Sequence, residues 1–184
     1  TFPLDYFLSF LDSRKGWLEG ICISGGEPLL HDDLETLLIL IKDRNFLVKV
    51  DINGSFPSRL EDLIQKRLVD HIAMDIKAPL KRYQEVTRAE VNEEDIVRSA
   101  DIIKNSGLEY VFRTTLVPGL IGQEDIKEIC KMLDGADIFQ LQQFIPLNTL
   151  DRKYLQKKPY RRDEVQGLAK IAEPYFSEVR IEGV

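Results

Sequence analysis

The stretch Gly20-Ile21-Cys22-Ile23-Ser24-Gly25-Gly26-Glu27-Pro28 decides how this chain folds. Its first half is apolar and rich in β-branched residues, the composition of a buried strand. Gly25 and Gly26 then permit positive φ and close approach to the backbone, Glu27 adds a fixed carboxylate, and Pro28 forbids continuation as strand. Such a turn suits a cation, because exposed carbonyls and Glu27 accept hydrogen bonds from an ammonium group. A phosphate cradle would need N–H donors and usually a Lys-Ser/Thr pair, which is missing here.

Amphipathic helix patterns flank this strand, with Leu4/Phe7/Leu8/Leu11 before it and Leu34/Leu37/Leu38/Ile41 after it. The alternation continues. Strands are predicted from Leu47 to Asn53, His71 to Lys77, Glu109 to Thr115, Ile138 to Phe144 and Val179 to Ile181. Helical stripes are predicted at Leu60/Leu63/Ile64/Leu68, Ile96/Ala100/Ile103, Ile126/Ile129/Cys130/Leu133 and Val165/Leu168/Ala169/Ala172. Asp32-Asp33, Pro57-Ser58, Asn92 and Asp163 are expected helix starts, and Gly16, Gly107 and Gly135 expected stops. Strand centres about 23 to 40 residues apart fit strand, crossover helix and return, so a parallel sheet of βαβ units follows, as a barrel or an open sheet. No linker or repeat interrupts residues 1–184, which read as a single domain.

Ligands of parallel α/β folds bind at the carboxyl ends of the strands. Here those ends read Ser24-Gly25-Gly26-Glu27-Pro28, Asp51-Ile52-Asn53-Gly54, Asp75-Ile76-Lys77-Ala78-Pro79 and Arg113-Thr114-Thr115, with Gln140, Gln142 and Gln143 on the fifth strand. All five are polar. Strand alternation puts Ala73, Asp75 and Lys77 on one face against Ile72, Met74 and Ile76, and Lys49, Asp51 and Asn53 opposite Val48, Val50 and Ile52. Burying unpaired charges costs several kcal/mol each, so these groups either pair tightly, Asp75 with Lys77 as an ion pair and Asp51/Asn53 as an Asx-type turn, or line a wet, ligand-bearing hollow, and five polar ends in register favour the hollow.

Composition narrows the function. With 25 Lys and Arg against 31 Asp and Glu, the charge is −6 and a basic nucleic-acid binder is not expected. The 43% hydrophobic content is that of a globular protein. No apolar run approaches the roughly 20 residues of a bilayer span, and Thr1-Phe2-Pro3-Leu4 lacks a leader pattern, so a cytoplasmic protein is expected. Cys22 and Cys130 are too few for a disulfide framework or a cysteine metal cluster, and both read as small core residues. Arg152, Lys153, Lys157, Lys158, Arg161 and Arg162 read as a solvated basic edge.

Taken together, Ser24 to Leu30, Asp51-Ile52-Asn53-Gly54, Ala73-Met74-Asp75-Ile76-Lys77-Ala78-Pro79 and Gln140-Leu141-Gln142-Gln143-Phe144 resemble the radical S-adenosylmethionine (radical SAM) enzymes. Within them the likeness is to the activating proteins of anaerobic ribonucleoside-triphosphate reductase, relatives of those that activate pyruvate formate-lyase. The resemblance spans nearly the whole chain. It implies a partial (β/α) TIM-type barrel of parallel strands missing the first strand. It also implies a protein that cleaves S-adenosylmethionine reductively and raises a glycyl radical on a partner enzyme.

By that resemblance the cofactor-binding residues are Ser24, Gly25, Gly26, Glu27, Asp51, Asn53, Asp75, Lys77, Arg113 and Gln142. Gly25, Gly26 and Glu27 would meet the methionine ammonium, Asp75 the ribose and Lys77 the methionine carboxylate. Asp51 and Asn53 would face the nucleoside or a peptide substrate, and Arg113 the carboxylate. Val117-Pro118-Gly119-Leu120-Ile121-Gly122 takes the place of the adenine-supporting segment, with altered spacing. No residue is required as acid, base or metal ligand. The implied partners are a glycyl-radical enzyme and an electron donor such as flavodoxin or ferredoxin.

The family holds a 4Fe-4S cluster through Cys-x-x-x-Cys-x-x-Cys, a motif absent here. A cluster segment lost ahead of Thr1 is the expected reason, leaving a chain that is inactive alone and binds S-adenosylmethionine weakly. Three alternatives are a radical SAM enzyme acting on a small molecule, a cluster-free domain that binds S-adenosylmethionine or a nucleoside, and a barrel lyase using Lys77 as a Schiff-base amine.

Overall fold

The computed structural model describes residues 3–147, 149 and 151–184. Helix α1 (Leu4–Ser13) leads into β1 (Gly20–Ile23), and then α2 (Leu34–Lys42), β2 (Leu47–Ile52), α3 (Pro57–Gln65) and β3 (His71–Asp75) follow. After a short α4 (Tyr83–Thr87) come α5 (Glu93–Lys104), β4 (Glu109–Leu116), α6 (Gln123–Met132), β5 (Ile138–Gln143), α7 (Arg162–Ala172) and β6 (Glu178–Glu182). The six strands form one sheet in sequential order, every pair parallel. Sequential order with crossovers of one hand puts the helices on one face, which is the plan of a partial barrel.

Burial follows that plan. On β2, Val48, Val50 and Ile52 are buried under the helical layer, whereas Lys49 and Asp51 are only half-buried. Ile72 and Met74 of β3 and Phe112 of β4 join the same core, against Leu38, Leu60, Ile96 and Ile126 from the helices. The opposite face of the sheet carries the charges. Among the described residues, no helix is long and apolar enough to cross a membrane.

Local signals account for most boundaries. Pro57 occupies the first turn of α3, and Asn92 caps α5 by accepting a hydrogen bond from the Glu94 N–H. Gly16, Gly107 and Gly135 stand at positive φ beyond helix ends. Helix α7 starts earlier than Asp163. Arg161 is its N-cap, because the Glu164 carboxylate reaches back to the Arg161 N–H at 2.8 Å. Three short 3₁₀ turns (Pro28–Leu30, Leu80–Arg82 and Arg152–Gln156) and α4 lie outside the predicted elements, since none is long enough to show a helical period.

Gly54, at φ 84°, closes β2 over the core, and a Cβ there would fall 2.1 Å from Met74 Cε. Its carbonyl accepts a hydrogen bond from the buried Ser99 hydroxyl at 2.7 Å. Gly135 has the same φ sign but open space around it. In urea titrations Gly54→Ala is therefore expected to cost about 3 kcal/mol, from strain plus overpacking, and Gly135→Ala only about 1 kcal/mol.

Candidate functional site: a charged inner face and its glycine ledge

Residues 24–28 form an open ledge at the end of β1. Gly25 and Gly26 take φ of 100° and 61°, and a Cβ on either would meet no atom within 4 Å. Ser24, Gly25 and Gly26 are exposed, whereas Glu27 is 5% exposed. Glu27 Oε1 accepts from the Leu29 N–H at 3.1 Å and Oε2 from the Asn53 N–H at 2.7 Å. The carboxylate thus clamps the turn after β1 to the end of β2. Burial raises its pKa, and the two backbone hydrogen bonds oppose that rise. Asn53 turns its own Oδ1 back to the Ser55 N–H at 2.9 Å, an Asx turn closing the strand.

Beside the ledge, five charged side chains alternate in sign across three strands. Lys49 Nζ lies 3.0 Å from Asp51 Oδ1, Arg113 Nη1 lies 3.0 Å from Asp51 Oδ2, and Arg113 Nε lies 2.8 Å from Asp75 Oδ1. Lys77 Nζ completes the series at 2.8 Å from Asp75 Oδ2. Register explains the reach. Asp75 pairs with Arg113 directly, whereas Asp51 pairs with Ala73, so the guanidinium crosses β3 above Ala73 to meet Asp51. Ala73 is fully buried although it stands outside the apolar core cluster, as expected of a small residue beneath that side chain.

Burial pushes the Asp51 carboxyl up, but the Lys49 and Arg113 hydrogen bonds more than offset it and hold the group below its usual range. Burial likewise opposes the charge on Arg113, and Asp75 and Asp51 reverse that effect and raise its pKa. The Arg113 side chain is 13% exposed and that of Lys77 is 43%, so the series is sealed in the middle and open at Lys77. Behind it, the Tyr83 hydroxyl accepts from the Lys77 N–H at 3.2 Å, and Thr114 Oγ1 donates to the Ile76 carbonyl at 2.9 Å. Burial pushes the Tyr83 phenol up to about 12. Neither residue was singled out in the sequence. For Thr114 the signal was its place in a polar strand end; for Tyr83 there was none.

Ser24 to Glu27 with Asn53 therefore form one group, and Asp51, Asp75, Lys77 and Arg113 an adjoining one. Gln142 faces the same side of the sheet but donates to Glu182 Oε2 at 3.1 Å, on β6 and apart from the charged series. Cys22 is not a core residue. It is exposed on the inner face, with Sγ 3.6 Å from Asp51 Oδ1, because among the described residues β1 is an edge strand that pairs with β2 alone. Cys130 is buried in α6, and burial pushes its thiol up to about 12. An iron-sulfur cluster needs three converging thiolates. These two do not converge, and no group of three His, Cys, Asp or Glu among the described residues is arranged to hold a metal.

Comparison with known proteins agrees with this architecture. The family model described as the Radical SAM superfamily matches residues 4–133. Two relatives from Methanocaldococcus jannaschii, both named "Putative glycyl-radical enzyme activating enzyme" (MJ1227 and MJ1632), are 33% and 27% identical over 168 and 167 residues. The alignments take in 89% and 88% of this chain and 70% and 62% of those relatives. Two solved structures share the fold. A domain of a pyruvate-formate lyase-activating enzyme from Bacteroides vulgatus superposes with a TM-score of 0.70 at 20% identity, over 89% of this chain and 99% of that one. Streptococcus suis SuiB bound to S-adenosylmethionine gives 0.75 at 15% identity, over all of this chain and 44% of SuiB. With its glycine ledge and charged inner face set on this sheet, and the family model matched from residue 4 to residue 133, the chain belongs to the radical SAM superfamily.

Proposed function

We propose that the inner face binds S-adenosylmethionine, and that the chain serves a glycyl-radical enzyme activating protein of the anaerobic ribonucleoside-triphosphate reductase type. The observation that carries this reading is the open Gly25-Gly26 ledge beside the accessible Asp75–Lys77 end of the charged series. The two M. jannaschii relatives support the activating role by their names.

The residues divide the task by charge. Backbone carbonyls of the ledge accept from the methionine ammonium, with Glu27 fixing the ledge in place through its two backbone hydrogen bonds. Lys77 turns from Asp75 to the methionine carboxylate, and Asp75, still held by Arg113, is then free to accept from ribose hydroxyls. Asp51 and Asn53 face the nucleoside or the peptide substrate. Held by the ledge, Lys77 and Asp75, S-adenosylmethionine would supply, on one-electron reduction, the hydrogen-abstracting chemistry needed at a glycine Cα. The chain's share is orientation and exclusion of water. The partner in this reading is a glycyl-radical enzyme, and the reductant a flavodoxin or ferredoxin.

Two measurements test the assignment. Because Lys77 Nζ stands at an accessible rim, Lys77→Met is expected to weaken S-adenosylmethionine binding in calorimetry about tenfold while moving unfolding free energy by less than about 0.5 kcal/mol. Equal affinity for both proteins would reject Lys77 as the carboxylate ligand.

Glu27 gives a pH signature. A carboxyl whose pKa is raised on folding binds its proton more tightly in the folded state than in the unfolded chain. Its contribution to stability is therefore lost as pH rises from the ordinary value of 4.5 through the raised one. Glu27→Gln removes that slope, and the second amide position, an NH₂, faces a backbone N–H. Denaturation curves at successive pH values should show the variant less stable throughout by about 1–3 kcal/mol, with its deficit shrinking toward neutrality. A deficit that grows with pH would contradict the burial argument.

A further inference from the structure

The segment joining β5 to α7 reverses the charge of the rest of the chain. Residues 151–162 hold six of the 25 cationic residues and one of the 31 acidic ones, a net charge of +5, which leaves −11 on the remainder. Arg152, Lys153, Lys157, Lys158, Arg161 and Arg162 are all exposed. Among the described residues only two of them are ion-paired, Lys153 with Asp151, and Arg161 with Asp163 and Glu164. Asp151, the one acid of the segment, lies closer to Arg88, at 2.8 Å, than to Lys153, at 3.4 Å.

A merely solvated edge would disperse its cations, but here two of them converge. Lys153 and Lys157 line a cavity of about 420 Å³ whose other walls are Pro118, Gly119, Leu120 and Tyr154, with no carboxylate among them. Lys153 Nζ stands 5.0 Å over the Tyr154 ring, and Lys157 Nζ reaches across Gly119, 3.1 Å from where a Cβ would be. Two ammonium groups above an apolar floor attract a carboxylate. Apolar surface adjoins them. Leu155 is 44% exposed and shares one side of the turn Arg152–Gln156 with Arg152, and Ile145 and Leu147 are exposed on the chain leading in from β5. Exposed aliphatic side chains beside unpaired cations are the anatomy of a protein interface.

The surface is already ordered. The Tyr160 hydroxyl donates to the Ile121 carbonyl at 2.9 Å, Gln143 Nε2 donates to the Tyr160 carbonyl at 2.7 Å, and the Tyr154 ring packs edge-on against Phe144. Because the segment follows β5, it stands at the end of the sheet that carries the ledge. A nucleic acid is the poorer occupant. Tyr154 and Tyr160 are both half-buried, so no exposed ring of the segment stacks a base, and the −11 elsewhere repels a long phosphate chain.

We propose that residues 151–162 are a docking surface for an acidic protein partner, which seats a carboxylate between Lys153 and Lys157 and an aliphatic side chain on Leu155. The inference goes beyond the S-adenosylmethionine reading and does not rest on it.

The test uses a short fluorescent peptide of Glu-Glu-Leu repeats as probe, with a Gln-Gln-Leu peptide and a single-stranded RNA of the same length as comparisons. Anisotropy is measured against the wild-type protein and the Lys157→Glu, Leu155→Ser and Lys170→Glu variants. The acidic peptide is expected to bind at least about tenfold more tightly than its Gln counterpart, and to weaken several-fold between about 50 and about 200 mM salt. Lys157→Glu should weaken it about tenfold and Leu155→Ser about threefold. Lys170→Glu, which makes the same charge change far along α7, should leave it within twofold. Lys157 is exposed and unpaired, so unchanged urea denaturation of Lys157→Glu is expected and separates lost docking from lost folding. Equal binding of the two peptides, no binding of either, or equal losses from Lys157→Glu and Lys170→Glu would each overturn the docking surface. Tighter binding of the RNA, or a wild-type protein that sediments as a dimer and is made monomeric by Lys157→Glu, would replace the acidic partner with a nucleic acid or a second copy of the chain and overturn the proposal as well.

Discussion

Arg113 is the interaction on which the inner face depends. A parallel sheet ordinarily buries both faces in aliphatic side chains, yet here two neighbouring strands and the segment after the second present Lys49, Asp51, Asp75 and Lys77 on one side. Two carboxylates so placed would repel one another and resist desolvation. One guanidinium, donating through Nε to Asp75 and through Nη1 to Asp51, bridges both and fixes their directions. Removing it would leave two partly buried carboxylates short of partners, the costly case for any buried ion pair. The lysines at either end then leave the series with one positive charge in excess, from three cations and two anions.

Fixed loops extend that order outward. Glu27 ties the first strand end to the second, Thr114 braces the segment after the third strand against the fourth, Tyr83 closes back on that same segment, and Arg82 and Tyr160 hold the loop beyond the fourth. Each brace is a side chain bonded to a backbone group elsewhere in the rim. Because the backbone groups are satisfied, the loops can sit at the sheet's rim without strand pairing. A rim held in this way arrives at its ligand already ordered, which limits the entropy lost on binding.

Much of this was legible in the sequence because two periodicities were clean. The alternation Val48/Val50/Ile52 against Lys49/Asp51 fixed both the strand and its facing, and the observed strands begin and end within two residues of those expected. Elsewhere the pattern carried less. Ile21-Cys22-Ile23 reads as a continuous apolar run, so the exposure of Cys22 on an edge strand left no trace in composition. Glu27 was visible as a carboxylate in a turn, but its partner lies 26 residues away on a backbone N–H, where no side-chain pattern could signal it. Helix α4 has five residues, too few for a stripe, and Tyr83 therefore stayed unnoticed despite its contact with Lys77.

The methyl group of Ala73 has a wider meaning than its size suggests. It occupies the rung between Asp51 and the guanidinium that reaches across to it, and it is the smallest side chain compatible with a regular strand at that place. The room beneath the bridge is thus left by a side chain that makes no polar contact of its own. Electrostatic character on this face is consequently tuned by steric volume one strand away, so a redesign aimed only at ionisable groups would overlook the position that sets their spacing.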